Sequence, residues 1–230
     1  MKVNQAHSRN PELWEAGCIK DNVRKHIIVP DLEVRIATLG AQRCCDIGAG
    51  TGFVVRELAK ASKLSHVHWT LLEFDEAMLT FAKAKIVPDG LIEAISYDVK
   101  NPSAAFDEKF DFAFCCFSSL EFGMSRHIAR NIMKLVRSGG SFVIYLPDLL
   151  EEVAQNIAND GNSGPLHQYR SSSLDVRKPD RFTGQLEPFR AYRIERLIRD
   201  FLDGSTRCLR LDFLDRGEGK ALVVIEFQKP

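Results

Sequence analysis

Apolar positions along this chain follow two alternating rhythms, short continuous runs and stretches that recur at three- and four-residue steps. Runs of the first kind fit buried strands, and stretches of the second fit amphipathic helices. From Pro11 to about Val29, the positions Leu13, Trp14, Cys18, Ile19, Val23 and Ile27 predict a helix that breaks before Pro30. A second helix is expected over Asp31 to Leu39, ended by Gly40. Arg43 to Ile47 then reads as a strand, and Val54 to Ala61 as a helix. His68 to Phe74 is a buried strand, Glu76 to Lys85 a helix and Ile92 to Tyr97 a third strand. Phe110 to Phe117 is a fourth strand, followed by a helix around His127 to Val136, a turn at Arg137 to Gly140 and a fifth strand from Ser141 to Leu146.

Strands separated by helices in this order imply an α/β protein with a parallel sheet covered on both faces. Beyond Pro147 the rhythm changes. Asp148 to Ala158 reads as helix, whereas Asn159 to Glu187 is rich in Gly, Ser, Asp, Asn, Pro and Arg and cannot supply a packed core by itself. Helical periodicity returns over Arg190 to Leu202, and Arg207 to Leu214 with Ala221 to Gln228 form a hairpin around Arg216 to Gly219. The 230 residues are expected to make one domain. Its parts are an N-terminal helical cap (1–39), a core (40–147), a cap insertion (148–192) and a terminal helix with hairpin (193–230).

Composition narrows the class. Lys+Arg and Asp+Glu each total 31, so the overall field gives no reason to expect nucleic acid or an anionic membrane as partner. Of the six cysteines, Cys44–Cys45 and Cys115–Cys116 are adjacent pairs inside apolar runs, which is the usage of buried thiols rather than of a disulfide framework. Neighbouring residues of a strand face opposite ways, so neither pair chelates a metal, and no C-x-x-C occurs. The first residues lack an apolar signal core and no run of about 18 apolar residues occurs. The expectation is a cytoplasmic protein.

The richest segment is Cys44-Cys45-Asp46-Ile47-Gly48-Ala49-Gly50-Thr51-Gly52-Phe53. Glycine at 48, 50 and 52 permits backbone conformations and a close ligand approach that a Cβ would block. A dinucleotide fingerprint wants G-x-G-x-x-G, whereas here Phe53 stands where its third glycine would be. Asp46 ahead of the loop would repel a pyrophosphate and suits a cationic amino-acid group. Glu73, 21 residues beyond Gly52 at the end of the second strand, is placed to accept from two ribose hydroxyls. Asp98, closing the third strand, is a candidate for an adenine amine or for a turn cap.

These residues resemble the class I S-adenosylmethionine-dependent methyltransferases. The likeness runs from about 35 to 147: Asp46-x-Gly48-x-Gly50-x-Gly52, then Glu73 with Met78-Leu79, Asp98, Phe110-Asp111, and Arg137-Ser138-Gly139-Gly140 where the family usually has K-P-G-G. The resemblance implies a doubly wound seven-stranded sheet in the order 3-2-1-4-5-7-6 with strand 7 antiparallel. N-terminal helices and an insertion after strand 5 would form a substrate cap. It further implies S-adenosyl-L-methionine as cofactor and S-adenosyl-L-homocysteine as product. Asp46, Gly48, Ala49, Gly50 and Gly52 would line the methionine part, Glu73 the ribose, and Asp98 the adenine. Phe74 or Val99 would meet an adenine face, Met78 belongs to the motif, and Cys116 with Phe117 would pass near the methyl group.

Motifs that would name the acceptor are missing. Strand four ends Phe117-Ser118-Ser119-Leu120-Glu121, without the N-P-P-Y or D-P-P-Y of adenine or glutamine amino methylation, and no Pro-Cys of RNA cytosine enzymes occurs. The small-molecule branch remains, with a metabolite as acceptor and a monomer or homodimer as assembly. His167 and Tyr169 in the insertion and Glu121 after strand four are the candidate catalytic groups, imidazole titrating near neutral pH. His26 and Tyr192 are further polar candidates, and Arg177, Lys178 and Arg190 could meet an anionic substrate or simply face water. The competing reading is a protein of this fold that binds the cofactor without transferring methyl.

Overall fold

The protein, as a computed structural model, is described over residues 10–87, 90–118, 124–147, 173–179, 186–192, 194–202, 206–215 and 221–230. It forms two compact units, Met1–Asp98 and Val99–Pro230.

In the first unit, α1 (Pro11–Lys20) starts where Asn10 caps the amides of Glu12 and Leu13. It stops at Asp21, whose carboxylate takes the Val23 amide at 2.9 Å. The expected break before Pro30 is therefore misplaced: it falls nine residues earlier, and the chain stays helical through the proline. The reason is the π-helical turn Arg24–Ile28, in which the Val29 amide reaches back to the Arg24 carbonyl. That wider turn feeds α2 (Val29–Leu39), where Pro30 occupies the first turn and needs no amide of its own. Gly40, with φ +64°, closes it.

The strands β1 (Arg43–Ile47), β2 (His68–Glu73) and β3 (Ile92–Ser96) alternate with α3 (Phe53–Leu58) and α4 (Glu76–Lys85). Pairing is parallel throughout, with Cys45 beside Thr70 and Leu71 beside Ala94. Because β1 and β2 are covered on both faces, they read as continuous apolar runs rather than as alternation. Cys44 and Cys45 are fully buried, and all six cysteines are free thiols.

The second unit holds β4 (Phe110–Cys116), α5 (Arg126–Leu135), β5 (Val136–Pro147), β6 (Ser173–Pro179), β7 (Leu186–Tyr192), α6 (Ile194–Phe201), β8 (Arg207–Asp215) and β9 (Ala221–Gln228). Two expectations are corrected here. The turn at Arg137–Gly140 is instead the beginning of β5, which starts at Val136 opposite Phe110. Gly139 donates to the Lys229 carbonyl at 2.8 Å and Gly140 accepts from the Lys229 amide at 3.1 Å, so long-range pairing overrides local turn chemistry. A Cβ on Gly140 would lie 2.7 Å from the Asp111 carbonyl oxygen, which fixes glycine at that site.

The helix expected from Arg190 begins only at Ile194, because Arg190–Tyr192 belong to β7. The segment Asn159 to Glu187, read as unable to supply a packed core by itself, contains β6, paired antiparallel with β7 from Ser173 opposite Tyr192 to Pro179 opposite Leu186. Its Leu174 and Val176 alternate with charged residues, a period of two that the Arg- and Pro-rich composition obscured. The helix expected at Asp148–Ala158 and the turn Arg216–Gly219 lie outside the described residues.

Seven strands form one sheet in the order β3-β2-β1-β4-β5-β9-β8, and β6 with β7 form a separate pair. β9 runs antiparallel to both β5 and β8. With the β6–β7 pair set aside, this is the order 3-2-1-4-5-7-6 with the seventh strand antiparallel. In the second unit Phe201 of α6 stacks on Phe227 at 4.3 Å and on Phe142 at 5.4 Å, a cluster that anchors the terminal helix to the sheet.

Candidate cofactor site

β1 delivers Asp46 into the core: the residue is 2% exposed, and its Oδ1 has no hydrogen-bond partner. Burial pushes its carboxyl up from 3.8 to about 8, the nearby Glu73 carboxylate adds to the rise, and the Arg24 guanidinium opposes it. A positive group brought to Oδ1 would offset both causes of the rise.

The chain then turns through Gly48, Gly50 and Gly52, with φ of +72°, +57° and +72°. Three left-handed residues at alternate positions explain why a side chain is excluded there. Gly48 donates to the Leu72 carbonyl at 2.8 Å, so the loop is pinned to the end of β2. Gly52 caps α3, and a Cβ on it would meet Leu71 Cδ1 at 3.0 Å.

Glu73 closes β2 with both carboxylate oxygens engaged. Oε2 accepts from the Gly50 amide at 2.6 Å and Oε1 from the Asp75 amide at 2.8 Å. A carboxylate oxygen has two acceptor positions, so each retains one for a ligand hydroxyl. Phe74 beside it is 69% exposed, an aromatic face available to a flat ring. Asp98 is half-buried, and Met78, at 1% exposure, is core in α4, where its amide is capped by Asp75.

The N-terminal helix completes the site with residues that no sequence spacing marked. Trp14 covers Gly50: a Cβ there would stand 3.3 Å from the indole Nε1. Glu15 accepts from the Thr51 hydroxyl at 2.5 Å and pairs with Arg56, whose guanidinium also donates to the Thr51 carbonyl. Arg24 lies over the Trp14 ring, 6.0 Å from its centroid, and is ion-paired to Asp21. Trp14 and Glu15 sit some 35 residues before the loop, and only the fold makes them its neighbours.

Val99, Cys116 and Phe117 belong to the second unit. Val99 is buried and its carbonyl accepts from Asn131 Nδ2 at 2.9 Å. Cys116 is half-buried, and Phe117 adopts φ +52°, a strained conformation for a residue with a Cβ. Its amide donates to the Tyr145 carbonyl at 3.3 Å. Glu121, His167 and Tyr169 lie outside the described residues. His26 is exposed.

In sum of chemistry, the first unit offers a buried acid without a partner, a loop open to close approach and a carboxylate with spare acceptor positions. That set fits a ligand carrying a cationic amino-acid group and a ribose, and so fits S-adenosylmethionine.

Comparisons with known proteins agree. A family model described as a methyltransferase domain matches residues 44–140. No curated protein matches the sequence. Among solved structures, the chain is similar to magnesium protoporphyrin IX methyltransferase from Synechocystis with bound SAH, at TM-score 0.68 and 11% identity, covering 95% of this chain and 94% of that one. It is similar to an S-adenosylmethionine-dependent methyltransferase from Clostridium acetobutylicum at TM-score 0.63 and 14% identity, covering 94% and 98%. The (4+2)-cyclase SpnF is also similar, at TM-score 0.59 and 16% identity over 87% and 79%. At these identities the structural likeness is one of fold.

Proposed function

We propose that the chain is a class I S-adenosylmethionine-dependent methyltransferase, a reading supported by the methyltransferase-domain model over residues 44–140 and by the shared fold, and that its methyl acceptor is an O, N or C nucleophile of a small metabolite. The observation that carries the cofactor half of this reading is Asp46 Oδ1, buried and unpartnered below the glycine loop whose Gly50 amide Glu73 holds.

When bound, S-adenosylmethionine supplies a sulfonium methyl group already activated for in-line displacement. The protein's task is then orientation and exclusion of water. Asp46 holds positive charge at the base of the loop, Glu73 accepts ribose hydroxyls, and the loop's missing Cβ atoms let the backbone approach. Trp14 walls the loop on the side of α1.

On the acceptor side the reading assigns residues 1–39 and 148–192 to a cap over the substrate. Glu121, His167 and Tyr169 are the groups proposed to hold or take the acceptor's proton, and Cys116 and Phe117 to line the methyl position. Support for a small acceptor comes from the balanced net charge and from the lack of any nucleic-acid or protein acceptor motif. The proposed compartment is the cytoplasm; among the described residues no helix is long and apolar enough to cross a membrane.

A second reading, cofactor binding without methyl transfer, is favoured by the likeness to SpnF, a cyclase of this fold. The two are separated by incubating the protein with S-adenosylmethionine and a panel of phenols, amines, carboxylates and activated carbon acids. Mass spectrometry that finds a methylated acceptor in step with S-adenosylhomocysteine supports the proposal. Cofactor binding with no turnover on any class favours the second reading.

A further inference from the structure

α5 buries six residues, Ile128, Ala129, Asn131, Ile132, Met133 and Leu135, and Asn131 is the single polar one. An amide 2% exposed among aliphatic side chains destabilises a fold unless it is hydrogen-bonded. The bond it makes reaches a distant segment: Nδ2 donates to the Val99 carbonyl at 2.9 Å, 32 residues away in sequence.

The second N–H of that amide is directed at His127 Nε2, 3.3 Å away and one helical turn back. The imidazole accepts there in the tautomer that carries its proton on Nδ1. This contact fixes which way round the amide stands, because a flipped amide would set Oδ1 against the Val99 carbonyl oxygen, acceptor against acceptor. His127 is exposed, so its ring serves orientation rather than packing.

Val99 stands where the chain has just left β3, in a stretch, 97–100, that is neither helix nor strand. The Tyr97 amide donates to the Glu73 carbonyl at 3.1 Å, and the Val99 carbonyl is held by Asn131. Asp98 lies between these two anchored groups, one residue from each. We propose that Asn131, oriented by His127, is a positioning residue for nucleobase recognition: its hold on the Val99 carbonyl fixes the peptide that follows Asp98, and with it the carboxylate that meets the amino group of an adenine. The inference rests on the reading of the chain as a protein that binds S-adenosylmethionine. Adenine carries a 6-amino donor where hypoxanthine carries a carbonyl oxygen, so a fixed carboxylate accepts from the first and repels the second. Discrimination of this kind depends on how firmly the acceptor is held.

Titration calorimetry of the full chain with S-adenosylhomocysteine and S-inosylhomocysteine tests it, with the ratio of the two affinities as the readout. Wild type should favour the adenosyl ligand by at least about tenfold. Asn131→Leu keeps the volume without a donor, and Asn131→Asp keeps the shape with acceptors only. In both, the ratio should fall at least about threefold. His127→Ala should lower it about twofold or more, and His127→Gln, which restores an acceptor, should bring it back. Replacing an exposed residue leaves the fold intact, so the His127 pair decides the matter if neither Asn131 variant folds, which circular dichroism checks. A purely structural Asn131 would lower the melting temperature and weaken both ligands in proportion. An unchanged ratio in the folded Asn131 variants or in His127→Ala overturns the proposal, as does a wild type that binds both ligands equally. A wild type that binds neither overturns the cofactor reading itself, and this inference with it.

Discussion

The Gly50 backbone N–H donates to Glu73 Oε2 at 2.6 Å, so one side chain at the end of β2 sets the shape of the glycine loop that follows β1. Its other oxygen holds the Asp75 amide, and Asp75 in turn caps α4. Glu73 is thereby both the proposed ribose acceptor and the strut that keeps Gly50 in place.

Replacing Glu73 by Ala should weaken S-adenosylhomocysteine binding by at least about tenfold, since charged hydrogen bonds contribute ~1.5–3 kcal/mol each. Glu73→Gln keeps one acceptor but turns an N–H₂ group toward either Gly50 or Asp75. Its affinity should fall almost as far. Titration calorimetry on both variants checks this, with melting temperature as the control for folding.

Asp46 links the site to pH. Its folded carboxyl titrates at about 8 against an ordinary value of 3.8, so between those limits the folded chain holds a proton that the unfolded chain has lost. Stability without ligand should therefore fall as pH rises from about 4 to 8, by at most ~1.4 kcal/mol per pH unit from this group. Urea denaturation across that range should show the slope, and Asp46→Asn should flatten it. Binding a cation at Asp46 favours the ionised form, so cofactor binding at pH 7 should release a proton to buffer.

Gly50→Ala combines a left-handed backbone with a Cβ 3.3 Å from Trp14 Nε1. Strain of ~1–3 kcal/mol follows from the backbone alone. Gly50→Val adds bulk at the indole and should abolish cofactor binding while the cooperative unfolding transition survives. Binding and thermal melts on the same preparations separate the two effects.

Glu15 positions α1 over the loop through Thr51 and Arg56. Glu15→Ala leaves the mostly buried Arg56 without its carboxylate and should free Trp14 from Gly50. The chain has two tryptophans, and Trp69 is 1% exposed, so a Trp69→Phe background reports Trp14 alone. Cofactor should change Trp14 emission in that background. With Glu15→Ala added, resting emission should shift to the red and the response should shrink.

The alternation of strands and helices was legible because buried parallel strands are continuous apolar runs and their helices keep a three-to-four residue period. β1, α4 and β9 end where the residues predicted. What the sequence hid was set by distant contacts. Pro30 reads as a stop, yet a π turn lets the helix pass through it. Ser138-Gly139-Gly140 reads as a turn, yet it pairs with Lys229 and Pro230. In the site, Asp46, the glycines and Glu73 stand at fixed offsets around a strand–turn–helix unit, and spacing reveals them. Trp14, Glu15 and Arg56 converge only through packing of α1, which leaves no periodic trace.

Calorimetric titration of wild type, Glu73→Ala and Asp46→Asn with S-adenosylmethionine, S-adenosylhomocysteine and NAD tests the central claim most directly. Wild type should bind the two adenosyl ligands and not NAD, and both variants should lose at least about tenfold in affinity. Binding of NAD in preference to S-adenosylmethionine, or adenosyl affinity unchanged in both variants, would contradict a cofactor site built on Asp46, the glycine loop and Glu73.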